Sequence, residues 1–386
     1  HNINKLYIIP RHIFGAIPTE NFRLSEYNME PVGNGPYKFK SFTKRKDGFI
    51  TQYRLVINDN YSKEKPFIKD FYFSFFENWD DLLRAFRFRK NDGFGLLTPN
   101  SNLKSIPSSS IKYISLSRYS AIFMNGNANP LLKDGRFRVA LENAINRKKI
   151  ADNILDQRLT SGLNNSIFLS NKLSSPEKSP AESKQTISNF TNSYGKISLT
   201  LIIPKLPFLE KTAEIIKNDW REIGLDEVNI IAVKPEEIIE NVIKTNNYEL
   251  LLFGNSLENP EDLFPFWHSS QISYPGLNLS GFRNSRADQI MEKIRNTPDP
   301  QDRAEYLKDL TQIITNEKPA IFLFAPPYVY VHSNRLKGFS PTKEEIITAP
   351  HERFKKIKEW HVITARTLKS KNNEMPETKT PNKKSL

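Results

Sequence analysis

The sequence predicts an α/β protein with at least two lobes. Strand-like and helix-like patterns alternate from Ile197 to Gly254, an order that builds a largely parallel sheet with helices on its faces. The chain has 386 residues, more than one hydrophobic core usually serves. Hydrophobic residues make up 38% of it, which is enough to fill more than one core.

The first hundred residues predict short strands joined by tight turns. The Gly-Asn-Gly-Pro run at 33–36 forces a turn into a strand, and alternating apolar residues at 49–57 mark its partner. A strongly aromatic strand follows at 68–76 and a helix at 79–88. This segment therefore predicts a small, mostly antiparallel sheet.

The segment 121–155 predicts a strand, a turn and two capped helices. The apolar run at 121–124 ends at the turn signals Asn125-Gly126 and Asn129-Pro130. Asp134 then caps a helix with apolar residues at helical spacing, and Asn146 caps a second short helix. Residues 157–195 are polar and predict a long surface loop with a short helix at 180–188.

The second half of the chain predicts strands at 197–203, 228–233 and 250–253, with helices at 209–223 and 235–244. Two more helices follow, one capped by Asn284 and one beginning at Asp299-Pro300. A strand at 321–331 is interrupted by Pro326-Pro327. From Thr367 onward the chain is polar and charged, which predicts disorder.

Composition excludes several classes of protein. There is no cysteine, so disulfides and thiolate chemistry are absent. The net charge is +13, and the segment 354–386 alone carries eight lysines and one arginine against three glutamates, which indicates a basic tail rather than a nucleic-acid-binding groove. No apolar run is long enough to cross a membrane, and no signal peptide opens the sequence.

Enzyme chemistry has little support in the sequence. The six histidines have no metal-binding spacing, no glycine-rich loop opens a helix, and no nucleophile elbow occurs. We therefore predict no catalytic residue, no metal site and no cofactor.

Three groups of motifs resemble those of one known family. The central pattern is Phe123-Met124-Asn125, Pro130, Asp134, Arg136, Arg138, Ala140, Ala144, Ile145, Arg147 and Ile150. The flanking motifs are Gly33-Asn34-Gly35-Pro36-Tyr37, the segment 58–66, Gly254, Pro260, Phe264, His268-Ser269-Ser270, Gly276, Asn278, Ser280-Gly281 and Leu336-Lys337-Gly338-Phe339. In order and spacing, residues 30–360 resemble the bacterial extracellular solute-binding proteins of family 5, the peptide- and nickel-binding proteins of ABC importers.

The resemblance implies the two-lobe fold of periplasmic binding proteins, type II, in its peptide-binding class. In that family an initial lobe segment and a smaller domain precede the Gly-Pro-Tyr element. Neither occurs here, so we expect an incomplete first lobe and a chain truncated at its amino terminus. The expected units are 1–122 as part of lobe I, 123–324 as lobe II, 325–366 as the return to lobe I, and 367–386 as a disordered basic tail.

The function that the resemblance implies is capture of oligopeptides for an ABC-type importer, with the ligand held between the lobes. The expected partners are a peptide and the permease subunits, the protein is expected to be a monomer, and its place is periplasmic or on the cell surface, with a lipid anchor as an option. Two alternatives stay open: another solute (a nickel chelate, haem or an oligosaccharide), and a receptor that imports nothing.

The sharpest site prediction is Glu258, which follows the buried strand at 250–253. Peptide-binding relatives place an aspartate four residues after the glycine equivalent to Gly254, and that acid pairs with the α-ammonium group of the ligand. Glu258 is one methylene longer, and Asp262 is the second candidate. The ordinary alternative is a solvated loop carboxylate. The main chain of Gly254, Asn255, Ser256 and Leu257 would pair with an extended peptide.

Four further residues complete the predicted site. Trp267 would floor a side-chain pocket, although a core position is equally consistent with its neighbours. Tyr328 and Tyr330 lie on the returning crossover, where one of them would face the ligand; the alternative is a half-buried strand. Asn125 is expected to support the backbone at the hinge.

Overall fold

The computed structural model describes residues 9–97, 106, 108–154, 180–342 and 345–363. Its strands are Tyr37–Lys44 (β1), Ile50–Ile57 (β2), Asp70–Ser74 (β3), Gly93–Leu96 (β4), Ser109–Leu116 (β5), Arg118–Met124 (β6), Ser198–Pro204 (β7), Glu227–Val233 (β8), Leu250–Ser256 (β9), Ala320–Phe324 (β10), Tyr328–Ser333 (β11), Leu336–Lys337 (β12), Ile346–Ile347 (β13) and His361–Val362 (β14).

The α-helices are Arg11–Phe14 (α1), Trp79–Arg87 (α2), Gly135–Ala144 (α3), Arg147–Ile154 (α4), Pro180–Tyr194 (α5), Pro207–Glu222 (α6), Phe264–Trp267 (α7), Ser285–Asn296 (α8) and Pro300–Glu317 (α9). Short 3₁₀ segments cover Thr19–Leu24, Glu26–Asn28, Pro130–Lys133, Ser269–Gln271 and Pro350–Glu359, and a π-helical turn covers Ile239–Ile243. No helix over the described ranges is both long and apolar enough to cross a bilayer.

A five-stranded sheet in the order β10-β6-β9-β7-β8 forms the centre of the molecule. β7 runs parallel to β8 and β9, whereas β6 is antiparallel to both β9 and β10. Four strands therefore point one way and only β6 is reversed. This confirms the predicted α/β class.

Both faces of this sheet are covered, because successive strand residues point to opposite sides. On one face, Ile122 and Leu252 join a core with α3 and α6, in which Phe137 and Trp220 have no exposed surface. On the other face, Phe123 packs in a core with the apolar side of α8 and α9. The central sheet is thus enclosed like a sheet in any helix-covered α/β unit.

The predicted helix caps are confirmed. The carboxylate of Asp134 accepts a hydrogen bond from the Arg136 N–H at 2.8 Å, and Asn146 accepts one from the Lys149 N–H at 2.9 Å. Asn284 and Asp299 cap α8 and α9 in the same way. These local signals identify helix starts because the first N–H groups of a helix have no partner within it.

Two small sheets and one pair of short strands, β12 with β14, lie outside the central sheet in the described residues. β1, β2 and β3 form one small antiparallel sheet, and β13, β5, β11 and β4 form the second small sheet. Tyr328, Tyr330 and Trp360 belong to a core that also includes Phe71 of β3 and Phe354. This core joins the two small sheets to each other.

The predicted strand at 321–331 is two strands in different sheets. β10 belongs to the central sheet and β11 to a smaller one, with Pro326 and Pro327 between them. The boundary expected at 324/325 coincides with the end of β10, whereas the boundary expected at 122/123 falls within β6, five residues after the β5–β6 junction at Ser117. We propose that the lobes meet at these two crossovers.

Other differences concern the extent of elements. α5 continues to Tyr194, six residues past the predicted end, and a π-helical turn at Ile239–Ile243 replaces the regular helix predicted at 235–244. β4 and β5 were not predicted. The predicted loop lies largely, and the basic tail at 367–386 entirely, outside the described residues.

Candidate functional site

β9 extends beyond one of its neighbours. It pairs with β6 along its whole length, from Leu250 opposite Met124 to Ser256 opposite Arg118. Its pairing with β7 is confined to Leu250 and Leu251. From Phe253 onward, one edge of β9 therefore presents main-chain groups that no described strand pairs.

A cavity of about 610 Å³ opens beside this edge. Its walls are mainly apolar: Ile239, Ile243, Phe253, Pro265, Phe266, Tyr274 and Leu277. Its polar lining consists of Asn255, Ser256, Glu258, Asn259 and Asp262, with Gly254 between them. An apolar hollow with a few convergent polar groups is the usual form of a small-ligand site.

The two predicted acids both line this cavity, but they are not equivalent. Asp262 makes a bidentate ion pair with Arg295, with oxygen–nitrogen distances of 2.9 and 2.8 Å. Arg295 in turn stacks on Phe264, its guanidinium carbon 3.9 Å from the ring centroid. Glu258 is exposed and lines the same cavity. The two acids therefore differ in exposure and in setting, because Asp262 is engaged by Arg295.

Only part of the main chain around Glu258 is free to form hydrogen bonds with a ligand. Leu257 is 3% exposed, and its N–H donates to the carbonyl of Ser117 at 2.7 Å, so it cannot donate to a ligand as expected. Asn255 is also buried, and its side-chain amide donates to the hydroxyl of Tyr119 at 2.9 Å. Gly254 and Ser256 are exposed. They are the residues that leave the β9 edge accessible.

Four predicted residues lie away from the cavity. Trp267 is fully buried and packs against Phe123 and Phe322, with ring centroids 6.0 and 5.8 Å away, so it is a core residue in this structure. Tyr328 and Tyr330 are buried in the core between the small sheets. Burial raises the pKa of both phenols. None of the three contributes to the walls around Glu258.

Asn125 supports the backbone, as expected, but at the far end of β9. Its side-chain amide donates to the carbonyls of Tyr248 at 3.0 Å and Asn246 at 3.3 Å, and its oxygen accepts from the Asn127 N–H. Because β6 and β9 are antiparallel, this residue lies beside Glu249, just before the start of β9, rather than beside Ser256. Asn125 therefore fixes the entry to β9.

Arg118 is a residue that the sequence analysis missed. Its guanidinium donates to the carbonyl of Pro326 at 2.6 Å, of Leu97 at 2.6 Å and of Pro327 at 3.3 Å. Burial lowers its pKa to about 10. It therefore connects the start of β6, in the central sheet, with the end of β4, in a small sheet. It also binds the proline crossover that runs between these two sheets.

The sequence analysis also missed the apolar residues that line the cavity, although the sequence contains one pattern that indicates them. Ile239 and Ile243 are four residues apart, the spacing that places side chains on one face of a helix. Ile239 remains 44% exposed and Tyr274 48% exposed, and the ammonium nitrogen of Lys244 lies 4.9 Å from the centroid of the Tyr274 ring. Over the described ranges, no group of three acidic or histidine side chains could hold a metal ion.

Comparison with known proteins identifies the family. Residues 3–274 match the model of the bacterial extracellular solute-binding proteins, family 5, middle region.

The chain belongs to that family.

It is 26% identical over 358 residues to the oligopeptide-binding protein AppA of Bacillus subtilis, covering 86% of this chain and 64% of AppA. It is 20% identical to the nickel-binding protein NikA of Staphylococcus aureus, covering 83% of this chain and 65% of NikA.

Solved structures confirm the two-lobe binding-protein fold. The substrate-binding protein CtaP of Listeria monocytogenes superposes with a TM-score of 0.76 at 20% identity, covering 92% of this chain and 71% of CtaP. AppA of Bacillus subtilis, solved with a nonapeptide, gives a TM-score of 0.63 at 22% identity, covering 92% of this chain and 72% of AppA. The chain thus spans just under two thirds of the length of the curated relatives AppA and NikA.

Proposed function

We propose that this family 5 protein captures oligopeptides outside the cytoplasm and presents them to the permease of an ABC-type importer. The observation that carries the proposal is the half-paired end of β9, which leads to Glu258 over an apolar cavity. The relatives named oligopeptide-binding proteins support the same solute class.

In the proposed mode, a peptide lies extended along β9 and pairs with the main chain of Gly254 and Ser256. This is strand addition, in which main-chain hydrogen bonds give affinity for any sequence. The α-ammonium group of the peptide pairs with Glu258, and the first side chain enters the hollow between Ile239 and Tyr274. The site would favour peptides with an apolar first residue.

Binding between two lobes would then involve closure about the segments at 121–125 and 325–330. Arg118 is placed to influence that motion, since its guanidinium binds the carbonyls of Pro326 and Pro327 from the other crossover. We propose that the protein acts as a monomer, peripheral to the membrane or anchored to it by lipid.

The test is titration calorimetry with a leucine-led tetrapeptide, free and N-acetylated. A charge-assisted hydrogen bond is worth roughly 1.5–3 kcal/mol. Glu258→Gln should therefore weaken binding of the free peptide by about ten- to a hundredfold. Glu236→Gln is the matched control, because Glu236 is an exposed glutamate that does not line the cavity. It should bind as the unmodified protein does.

Acetylation separates the anchor from a general loss of charge. Acetylated peptide should bind the unmodified protein as weakly as free peptide binds the Glu258→Gln variant. Acetylation should lower the affinity for that variant little further, because both changes remove the same interaction. If acetylation lowered the affinity equally for the unmodified protein and for Glu258→Gln, Glu258 would be excluded as the anchor. If a nickel–histidine complex bound and peptides did not, the peptide proposal itself would be wrong.

A further inference from the structure

A buried pair of polar side chains lies under the end of β9 that extends beyond β7. Tyr119 of β6 and Asn255 of β9 stand directly opposite each other in the antiparallel ladder. Their side chains are also joined, because the amide of Asn255 donates to the hydroxyl of Tyr119 at 2.9 Å. Tyr119 has no exposed surface, and Asn255 is 3% exposed. At this level the two strands are therefore linked through side chains as well as through the ladder.

The hydrogen-bonding pattern shows which main-chain groups this pair controls. The N–H of Leu257 donates to the carbonyl of Ser117, so the odd-numbered residues at this end of β9 bond to β6. The even-numbered residues therefore direct their N–H and C=O groups to the opposite edge, which no described strand pairs at this end. Gly254 and Ser256, which the proposed peptide would pair with, are thus the immediate neighbours of Asn255.

The Tyr119 side chain is itself fixed by elements from distant parts of the chain. Its ring meets that of Phe322, on β10, edge-on at a centroid distance of 5.4 Å, within the core that also contains the apolar side of α8 and α9. Burial raises the pKa of the Tyr119 phenol, so the hydroxyl stays protonated at neutral pH. Tyr119 therefore gives the end of β9 a hydrogen-bond partner whose position is set by β6 and β10.

A polar pair suits this place better than an apolar contact would. Asparagine is a poor strand residue, and burying an amide costs free energy unless it is hydrogen-bonded. A strand end that is paired on one side only has few contacts and opens more readily than a strand paired on both sides. A hydrogen bond depends on direction, whereas an apolar contact tolerates sliding. The bond between Asn255 and Tyr119 therefore restrains a strand end that has lost one neighbour.

We propose that Tyr119 and Asn255 are positioning residues for the peptide site. Their hydrogen bond keeps the unpaired end of β9 extended. Gly254 and Ser256 then present their main-chain groups, and Glu258 its carboxylate, at a fixed spacing to one ligand. Both roles rest on the peptide site proposed at Glu258. They give the Asn255 side chain a supporting role in place of a ligand contact.

The first measurement needs no ligand. Hydrogen exchange of the whole chain, read by mass spectrometry, should be about tenfold faster over residues 253–258 in Tyr119→Phe than in the unmodified protein. Tyr248→Phe is the matched control, because Tyr248 is 3% exposed in the same core and its hydroxyl donates to the carbonyl of Leu279 at 2.5 Å. This control removes an equivalent hydroxyl near the other end of β9 and should leave exchange over 253–258 unchanged. Equal acceleration in both variants, or none in Tyr119→Phe, would overturn the proposal.

The second measurement is titration calorimetry with the leucine-led tetrapeptide. Tyr119→Phe should weaken binding by about tenfold, because a mobile edge must be ordered when the peptide binds. Tyr248→Phe should bind as the unmodified protein does. If the unmodified protein bound no peptide, the proposed function would be wrong, and with it any role in positioning a peptide. If the unmodified protein and Tyr119→Phe bound the peptide equally well, only the positioning role would be wrong.

The double variant Tyr119→Phe/Asn255→Leu separates positioning from stability. It removes both polar groups and leaves neither without its partner, so its melting temperature should recover toward that of the unmodified protein. Its peptide affinity should stay about tenfold weaker, because the directional link between β6 and β9 is gone. Recovery of the affinity together with the melting temperature would show that the pair only stabilises the fold, and would overturn the proposal.

Discussion

The central sheet and the two small sheets differ in how completely their strands are paired and covered. Helices cover both faces of the central sheet, and its large side chains, such as Trp220 and Phe123, have no exposed surface. The two small sheets instead line a cavity of about 680 Å³, and Phe75 and Tyr72 of that region are 48% and 46% exposed. Helices of the same chain therefore cover the central sheet, although one edge of β9 is only partly paired, whereas the small sheets expose more of their aromatic side chains.

The difference shows that strand pattern and strand completion are separate properties. β3 pairs only with β2, whereas β9 pairs with β6 along its whole length and with β7 only at Leu250 and Leu251. Each strand therefore leaves main-chain groups beside a cavity. At β9 the free edge is short and leads to Glu258.

The largest expected effect compares equivalent phenylalanines in the two regions. Phe137 in the central core is fully buried, whereas Phe73 of β3 is half-buried. Phe137→Ala should lower the free energy of unfolding by about 3–5 kcal/mol, and Phe73→Ala by roughly 1 kcal/mol. Denaturant titration gives both values. Equal losses would show that the region around β3 is as tightly packed as the central core.

A smaller loss of stability is expected when a charged side chain of each region is replaced. Glu142 is 7% exposed and accepts hydrogen bonds from Arg147, at 3.1 Å, and from Lys318. Glu142→Gln should cost about 3 kcal/mol, because it leaves buried cations without their counter-charge. The corresponding pair on the small sheet, Arg45 with Glu77, is exposed. Glu77→Gln should leave the denaturation midpoint unchanged, and a loss comparable to that of Glu142→Gln would contradict the comparison.

The smallest effect is a pH dependence in the small-sheet region. Burial alone would raise the pKa of Glu352, but hydrogen bonds from Lys355 and from the side chain and backbone of Thr348 outweigh burial and lower it to about 2. A carboxylate with a lowered pKa stabilises the fold above its ordinary value of 4.5, and this stabilisation is lost as the pH falls toward 2. Glu352→Ala should therefore cost about 1 kcal/mol at pH 7.

That cost should shrink as the pH falls from 4.5 toward 2, which parallel thermal melts of both proteins would measure. Lys356, which neighbours this site and has no ion pair among the described contacts, provides the control variant Lys356→Gln, whose effect should not depend on pH in that window. A pH-independent cost for Glu352→Ala would show that its role is packing rather than capping.

Much of the fold could be predicted because its signals are local. The alternation at 197–203 identified β7, and Asp134 and Asn284 identified the starts of α3 and α8. β4 was missed because Gly93 and Gly95 are poor strand residues. They lie in a strand because they pair with β11, far along the chain, and the rings of Tyr328 and Tyr330 occupy the space that larger side chains would fill.

Five of the predicted site residues line one cavity because they are close in sequence: Gly254, Asn255, Ser256, Glu258 and Asp262. Their proximity was predictable from one stretch of sequence, and their role in binding stays a prediction. Trp267 and the tyrosines of β11 have equally suitable side chains. Their burial depends on contacts with distant elements, which no local pattern records.

By itself the sequence determined the periodicity of each element, the helix caps, the family and the position of an acid after a buried strand. Only the tertiary structure decided which neighbours each strand received. It decided that β9 extends beyond the end of β7, and that the carbonyl of Ser117 accepts the hydrogen bond from the N–H of Leu257. It also decided that Arg295 pairs with Asp262 and that β3 and β4 line one cavity. Side-chain periodicity depends on the local backbone, whereas edge pairing and charge partners depend on segments brought together from distant parts of the chain.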